Sequence, residues 1–205
     1  MKFSLRQGCL ICTIFFVTAC GESEPQLSPL APSAVILAFG DSLTYGFGAP
    51  EDASYPHVLE QLIAHKVVNA GISGEETGGG LARISKVLQD TVPRLVIVCL
   101  GGNDYLHRKS PTQTKENLAK IIHIIQQSGA QVILIGVPRF SFNLTVPDFY
   151  AELGQEFNIP VNNQILPALE GNTAYKSDTI HLNAIGYRLF AQQIADYLRQ
   201  LGGIQ

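Results

Sequence analysis

Four short stretches of this chain carry residue types that, brought together, can make a serine hydroxyl react. Ser42 follows Val35-Ile36-Leu37-Ala38-Phe39-Gly40-Asp41, an apolar run that reads as a strand buried on both faces and ending at Gly-Asp-Ser. In a parallel sheet the ligand crevice lies outside the carboxyl ends of the strands, so a serine there is placed to act as a nucleophile. Such a hydroxyl needs a base, an orienting carboxylate and donors for the oxyanion its attack creates. Asp178-Thr179-Ile180-His181 can supply the first two, since this spacing in a loop lets the carboxylate reach one ring nitrogen while the other faces Ser42. Donors are available at two other strand ends: the Gly74 amide in Gly71-Ile72-Ser73-Gly74 and the Asn103 side chain in Gly101-Gly102-Asn103-Asp104, with the Ser42 amide as a third. Taken singly, each stretch is equally an ordinary turn, with Asp41 or Ser42 capping a helix and His181 sitting beside an N-cap. His57, His65, His107 and His123 have no comparable context, and no histidine spacing suggests a metal site.

The elements needed to gather these groups are legible as alternating patterns. Apolar runs at 35–39, 66–70, 94–100 and 131–137, and a weaker one at 159–162, predict five strands. Helical periodicity fills the gaps: Tyr55, Val58, Leu59, Leu62 and Ile63 share one face, as do Leu118, Ile121, Ile122 and Ile125. Ser110, Pro111, Gln113 and Gly129 punctuate a helix as N-cap, first residue, capping-box partner and terminator. Asn183 opens a last helix over about 184–201, with Leu189, Phe190, Ile194 and Leu198 inward and Gly202 after it. Repeated βα units with right-handed crossovers imply an α/β fold, a three-layer α/β/α sandwich around a five-stranded parallel sheet. The 205 residues, 46% of them hydrophobic and 15% charged, fit one domain with a sizeable core.

As a set, the four stretches resemble the blocks of the SGNH hydrolases, also called the GDSL esterase and lipase family, in that family's order and over about residues 34–201. The resemblance implies a flavodoxin-like SGNH fold, Ser42, Asp178 and His181 as catalytic residues, and an oxyanion hole from Ser42, Gly74 and Asn103. It implies acyl transfer through an acyl-enzyme on Ser42, with no cofactor. Val67-Val68-Asn69-Ala70 and Gly78-Gly79-Gly80-Leu81-Ala82-Arg83 look closest to the bacterial arylesterase, acyl-CoA thioesterase I and lysophospholipase group. Small to medium acyl groups on esters or thioesters are then the expected substrates. A carbohydrate O-acetyl esterase is the alternative, and a non-catalytic surface binding module on the same fold is a third. Of the loops facing the crevice, 105–109 and 137–146 carry apolar side chains, and Tyr105, Leu106, Phe140 and Phe142 are the expected substrate contacts.

The amino terminus reads as an export signal. Lys2 and Arg6 precede an apolar run from Cys9 to Val17, too short to span a bilayer, and Val17-Thr18-Ala19-Cys20 resembles a bacterial lipoprotein cleavage site. Residues 1–19 are expected to be removed, Cys20 to be lipidated, the alternative being an ordinary secreted protein cleaved near Ala19, and 20–33, rich in Pro, Ser and Glu, to form a flexible tether before a domain over 34–203. The expected location is outside the cytoplasm, on the outer membrane facing the periplasm. Cys99 then remains as a small buried hydrophobe. Removing Lys2 and Arg6, with no acidic residue lost, takes the formal charge from −3 to −5, which offers nothing to nucleic acid. The expected partners are an ester or lipid substrate and a membrane reached through the Cys20 anchor, with the protein as a monomer.

Overall fold

In a computed structural model that describes residues 24–140 and 143–205, strand and helix alternate along the chain. The order is β1 (Val35–Gly40), α1 (Ser42–Tyr45), α2 (Tyr55–Ile63), β2 (Lys66–Gly71), α3 (Thr77–Thr91), β3 (Leu95–Cys99), α4 (Gly102–Leu106) and α5 (Pro111–Gln127). It continues with β4 (Gln131–Ile135), α6 (Phe149–Phe157), β5 (Val161–Asn162), α7 (Ile165–Glu170) and α8 (Ala184–Gln200). The expected leader, Cys20 and Phe142 lie outside the described residues. Among the described residues no helix is long and apolar enough to cross a membrane.

All five strands pair in parallel in the order β2-β1-β3-β4-β5. The chain steps outward from β1 to β2 and then back past β1 to β3, so the order reverses between β1 and β3. That reversal leaves a crevice at the carboxyl ends of these two strands, because their following connections leave on opposite sides. Helices cover both faces: α2, α7 and α8 lie together on one, α3, α5 and α6 on the other. Both sides of the central strands are therefore dry. Every residue of β3 is buried, and Ile36, Leu37, Ala38 and Phe39 of β1 have no solvent exposure, which is why these strands are continuous apolar runs.

Helix ends follow the sequence signals with one exception. Asn183 caps α8 by accepting the Gly186 N–H at 3.0 Å, and Gly202 turns the chain with a φ of +75°. Pro111 opens α5 after Ser110, but the expected capping box is absent: Gln113 donates forward to Asn117 Oδ1 at 3.1 Å. The Ser110 carbonyl instead accepts from the Thr114 amide at 3.0 Å, and the Ser110 side chain makes no cap bond.

Residues 24–33 correct the expectation of a flexible tether. The Leu27 and Leu30 amides donate to the carbonyls of Leu201 and Gly203, at 2.9 and 2.8 Å, and Gln131 pairs with both the N–H and the C=O of Ser28. Tyr197 donates to Glu24 Oε1, and Leu27 is buried at the end of α8. Pro and Ser composition suggested a solvated chain. Leu27 and Leu30, spaced to meet the exposed carbonyls at the helix end, outweigh it by burying apolar area and satisfying those acceptors. The segment docks at the amino-terminal ends of the strands, opposite the crevice.

Candidate active site

Ser42 begins α1 one residue beyond β1 and lies at the edge of the crevice. The bland and the chemical readings of Gly-Asp-Ser both hold, on different residues: Asp41 Oδ1 caps the turn by accepting the Leu43 N–H at 3.1 Å, which leaves the Ser42 hydroxyl free for another partner. That partner is His181, whose Nε2 lies 3.1 Å from Ser42 Oγ, and His181 Nδ1 lies 2.8 Å from Asp178 Oδ2. A carboxylate only accepts, so Nδ1 donates to it and Nε2 is left with the lone pair that accepts the serine proton. Residues 139 positions apart in the chain thus form a relay.

The Asp178 carboxylate is held by its own loop. Its Oδ1 accepts the backbone N–H groups of Ile180 and His181, both at 2.7 Å. Burial pushes its pKa upward, but the His181 amide and imidazole and the Ile180 amide outweigh burial and bring it down to about 2. The loop is fixed from outside by Lys176, which donates to the Thr179 carbonyl at 2.6 Å, and by Ser177 N–H, which donates to the His181 carbonyl at 3.0 Å. The Phe47 ring lies 4.5 Å from the imidazole and shields one of its faces.

The expected donors converge on the same place. Gly74 has a φ of +80° and a Cβ there would meet nothing within 4 Å, so glycine is required by backbone conformation and not by space. Its turn is closed by Glu75 N–H to Ile72 O at 3.1 Å, which leaves the Gly74 amide out of that bond. Asn103 Nδ2 donates to Asp41 Oδ2 at 3.2 Å and to the Glu75 carbonyl at 3.1 Å. The first bond orients the amide, and the second can be exchanged for a substrate oxyanion. Burial, with Glu75 and Asp104 nearby, pushes the Asp41 pKa up to about 7 against the Leu43 hydrogen bond.

These groups border a cavity of about 280 Å³. Leu43, Phe47, Leu106, Val137, Pro138, Phe140 and Ile180 give it an apolar wall, and Glu170 adds a carboxyl group. Leu106 and Phe140 stand where the sequence placed them. Tyr105 does not: it turns inward, its ring 6.4 Å from that of Phe149 and beneath the Arg139 guanidinium. Successive helical residues point about 100° apart, so α4 can direct only one of Tyr105 and Leu106 into the crevice. Phe142 lies outside the described residues. Sequence reasoning missed Phe47, Ile180 and Glu170. Ile180 could have been found from its place beside His181, whereas Glu170 gave no local signal. Burial raises the Glu170 pKa to about 8, offset in part by Lys176. Among the described residues no group of three or more His, Cys, Asp or Glu could hold a metal ion.

The profile of the GDSL-like Lipase/Acylhydrolase family matches residues 38–189, a span that holds Ser42, Gly74, Asn103, Asp178 and His181. The chain belongs to the GDSL-like acylhydrolase family. The chain is 31% identical to "Thioesterase 1/protease 1/lysophospholipase L1" of Escherichia coli K12 over 183 residues, 83% of this chain and 86% of that one. It is 32% identical over 142 residues to "Esterase TesA" of Pseudomonas aeruginosa, a match covering 67% of this chain and just under two thirds, 65%, of the relative. Among solved structures it superimposes on AlinE4, described as an SGNH-hydrolase family esterase, with a TM-score of 0.65 at 30% identity, covering 83% of this chain and 97% of that one. The expected fold class, an α/β SGNH hydrolase with a five-stranded parallel sheet, holds.

Proposed function

We propose that this acylhydrolase is a serine esterase that cleaves carboxylic esters or thioesters of small to medium acyl groups through an acyl-enzyme on Ser42. The observation that carries the reading is the relay itself: Ser42 Oγ at 3.1 Å from His181 Nε2 and His181 Nδ1 at 2.8 Å from Asp178, opening on an apolar cavity. His181 takes the serine proton as Oγ bonds to the acyl carbon. The carbonyl oxygen becomes an oxyanion facing the Ser42 and Gly74 amides and the Asn103 side chain. Collapse expels the alcohol or thiol, which receives the proton from His181. Water then enters, gives a proton to His181 and attacks the acyl carbon, and the carboxylic acid leaves as Ser42 regains its proton. Asp178, its pKa held down to about 2 and so ionised near neutral pH, orients the imidazole and stabilises its cationic form.

A nitrophenyl ester series from acetyl to palmitoyl, with Ser42→Ala beside the parent, tests the reading. The expected profile peaks at short or medium chains and vanishes in the variant. Acetyl-restricted activity extending to acetylated sugars would favour the carbohydrate O-acetyl esterase, and a Ser42-independent profile would leave the binding-module reading.

The same proposal places the enzyme outside the cytoplasm, anchored through lipid on Cys20 to an outer membrane and facing the periplasm. Lys2, Arg6, the short apolar run and Ala19-Cys20 support it. Cys20 precedes Glu24 by four residues, a reach of at most about 14 Å. With residues 24–33 docked at the end of the sheet opposite Ser42, such an anchor holds the crevice turned away from the bilayer. Esters that diffuse in the surrounding space are then the accessible substrates.

A further inference from the structure

The second turn of α3 sends one side chain toward the ends of β1 and β2, behind the residues that line the site. Arg83 forms a fork on the Glu75 carboxylate, with Nε 2.7 Å from Oε1 and Nη2 2.5 Å from Oε2. The same Nη2 donates to the Ala70 carbonyl at 2.9 Å, with a longer contact of 3.3 Å to the Gly40 carbonyl. The guanidinium lies 4.1 Å from the centre of the Phe39 ring, and the ion pair is largely shielded, with side-chain exposures of 19% for Arg83 and 7% for Glu75. One planar cation thus touches the last residue of β1, the residue before the last of β2 and the loop that follows β2.

Two of those three places adjoin oxyanion donors. Gly40 is two residues before the Ser42 amide, and Glu75 directly follows Gly74. The Glu75 carbonyl accepts from the Asn103 side chain at 3.1 Å. We propose that Arg83 is a positioning residue that holds the Ser42 and Gly74 amides, and the Glu75 carbonyl that receives the Asn103 amide until substrate takes its place, in one fixed arrangement. The proposal rests on the serine esterase reading above. A lysine cannot replace it, because an ammonium is a single point on a flexible stem and cannot form the fork, reach the carbonyl and stack on Phe39 together. The neighbouring tie through Glu76, to His107 Nδ1 at 2.7 Å and Lys109 Nζ at 3.1 Å, is exposed and screened by salt, so it cannot supply the same rigidity.

Arg83→Lys, Glu75→Gln and Ser42→Ala, measured on the best nitrophenyl ester, test the assignment, with His107→Ala as the control for the exposed tie. Arg83→Lys is expected to lower kcat by about 100-fold, as displacement of catalytic groups by about 1 Å does, with KM little changed. Glu75→Gln, which keeps one acceptor of the fork, is expected to move kcat the same way by less, and His107→Ala to leave it near the parent value. Affinity for an alkyl boronic acid, whose tetrahedral serine adduct occupies the donors, should fall in step with kcat, while inhibition by the product carboxylic acid stays unchanged. Added guanidinium ion should partly restore Arg83→Ala. Parent-like kcat in Arg83→Lys, or a loss of kcat without loss of boronic acid affinity, would overturn the proposal. Retained turnover in Ser42→Ala would instead overturn the esterase reading on which it rests.

Discussion

Asn103 serves the site with two donors: the one given to Asp41 orients the amide, and the one given to the Glu75 carbonyl is exchanged for the substrate oxyanion. Loss of one oxyanion donor costs on the order of 100-fold or more in rate, so Asn103→Ala should lose that much of kcat while keeping the parent circular dichroism spectrum. Near-parent kcat would remove Asn103 from the donor set. Glu170 makes a different kind of prediction, because burial lifts its pKa from 4.5 to about 8. Below pH 4.5 the carboxyl is protonated in both folded and unfolded chains and contributes nothing. Between pH 4.5 and about 8 the unfolded chain ionises while the folded one keeps its proton, so stability falls as pH rises through that window and then levels off. Glu170→Gln removes this penalty. The Tm of the variant minus that of the parent should therefore climb from pH 4.5 to pH 8, and a difference independent of pH would show that Glu170 ionises freely.

At the scale of elements, the site exists because two strands diverge. Ser42 and Asn103 follow β1 and β3, the pair between which strand order reverses, and α8 begins just after His181. The sequence showed all five strands and the ends of α8 because a strand buried on both faces must be a continuous apolar run and a helix end must satisfy its orphan amides. Ser42, Gly74 and Asn103 stood out as polar or glycine positions following strands, and Asp178 and His181 by their spacing in the loop before α8, but it was the set, through its resemblance to the SGNH blocks, that made them candidates. Glu170 was not, since whether a carboxyl faces solvent or a cavity depends on how α7 packs, and nothing local to Leu169-Glu170-Gly171 records that. Tyr105 failed for the same reason, as the facing of a five-residue helix is set by its neighbours. Residues 24–33 failed because composition reports an average, while the docking depends on Leu27 and Leu30 meeting one helix end. Leu27→Ala should cost about 2 kcal/mol or more of unfolding free energy in urea without changing kcat. An unchanged urea midpoint would mean that the segment contributes nothing to the fold.

Over the whole molecule, exposed apolar side chains such as Leu62, Val92 and Ile185 are scattered, but three stand together at the crevice. Phe47, Leu106 and Phe140 are 46%, 42% and 56% exposed and all border the cavity that holds Ser42, an arrangement that suits an apolar acyl group. The opposite end of the sheet carries the docked segment that leads back to Cys20. If that cysteine bears lipid, the full chain expressed in a Gram-negative host should fractionate with membranes and Cys20→Ser should not. Equal partitioning of the two would contradict the anchor. The account stands most directly on one covalent bond. Parent enzyme mixed with a medium-chain nitrophenyl ester, quenched in acid within the first turnover and mapped by peptide mass spectrometry should carry the acyl mass on the peptide containing Ser42, and Ser42→Ala should carry none. An acyl group on any other residue, or turnover of the ester by Ser42→Ala at the parent rate, would contradict it.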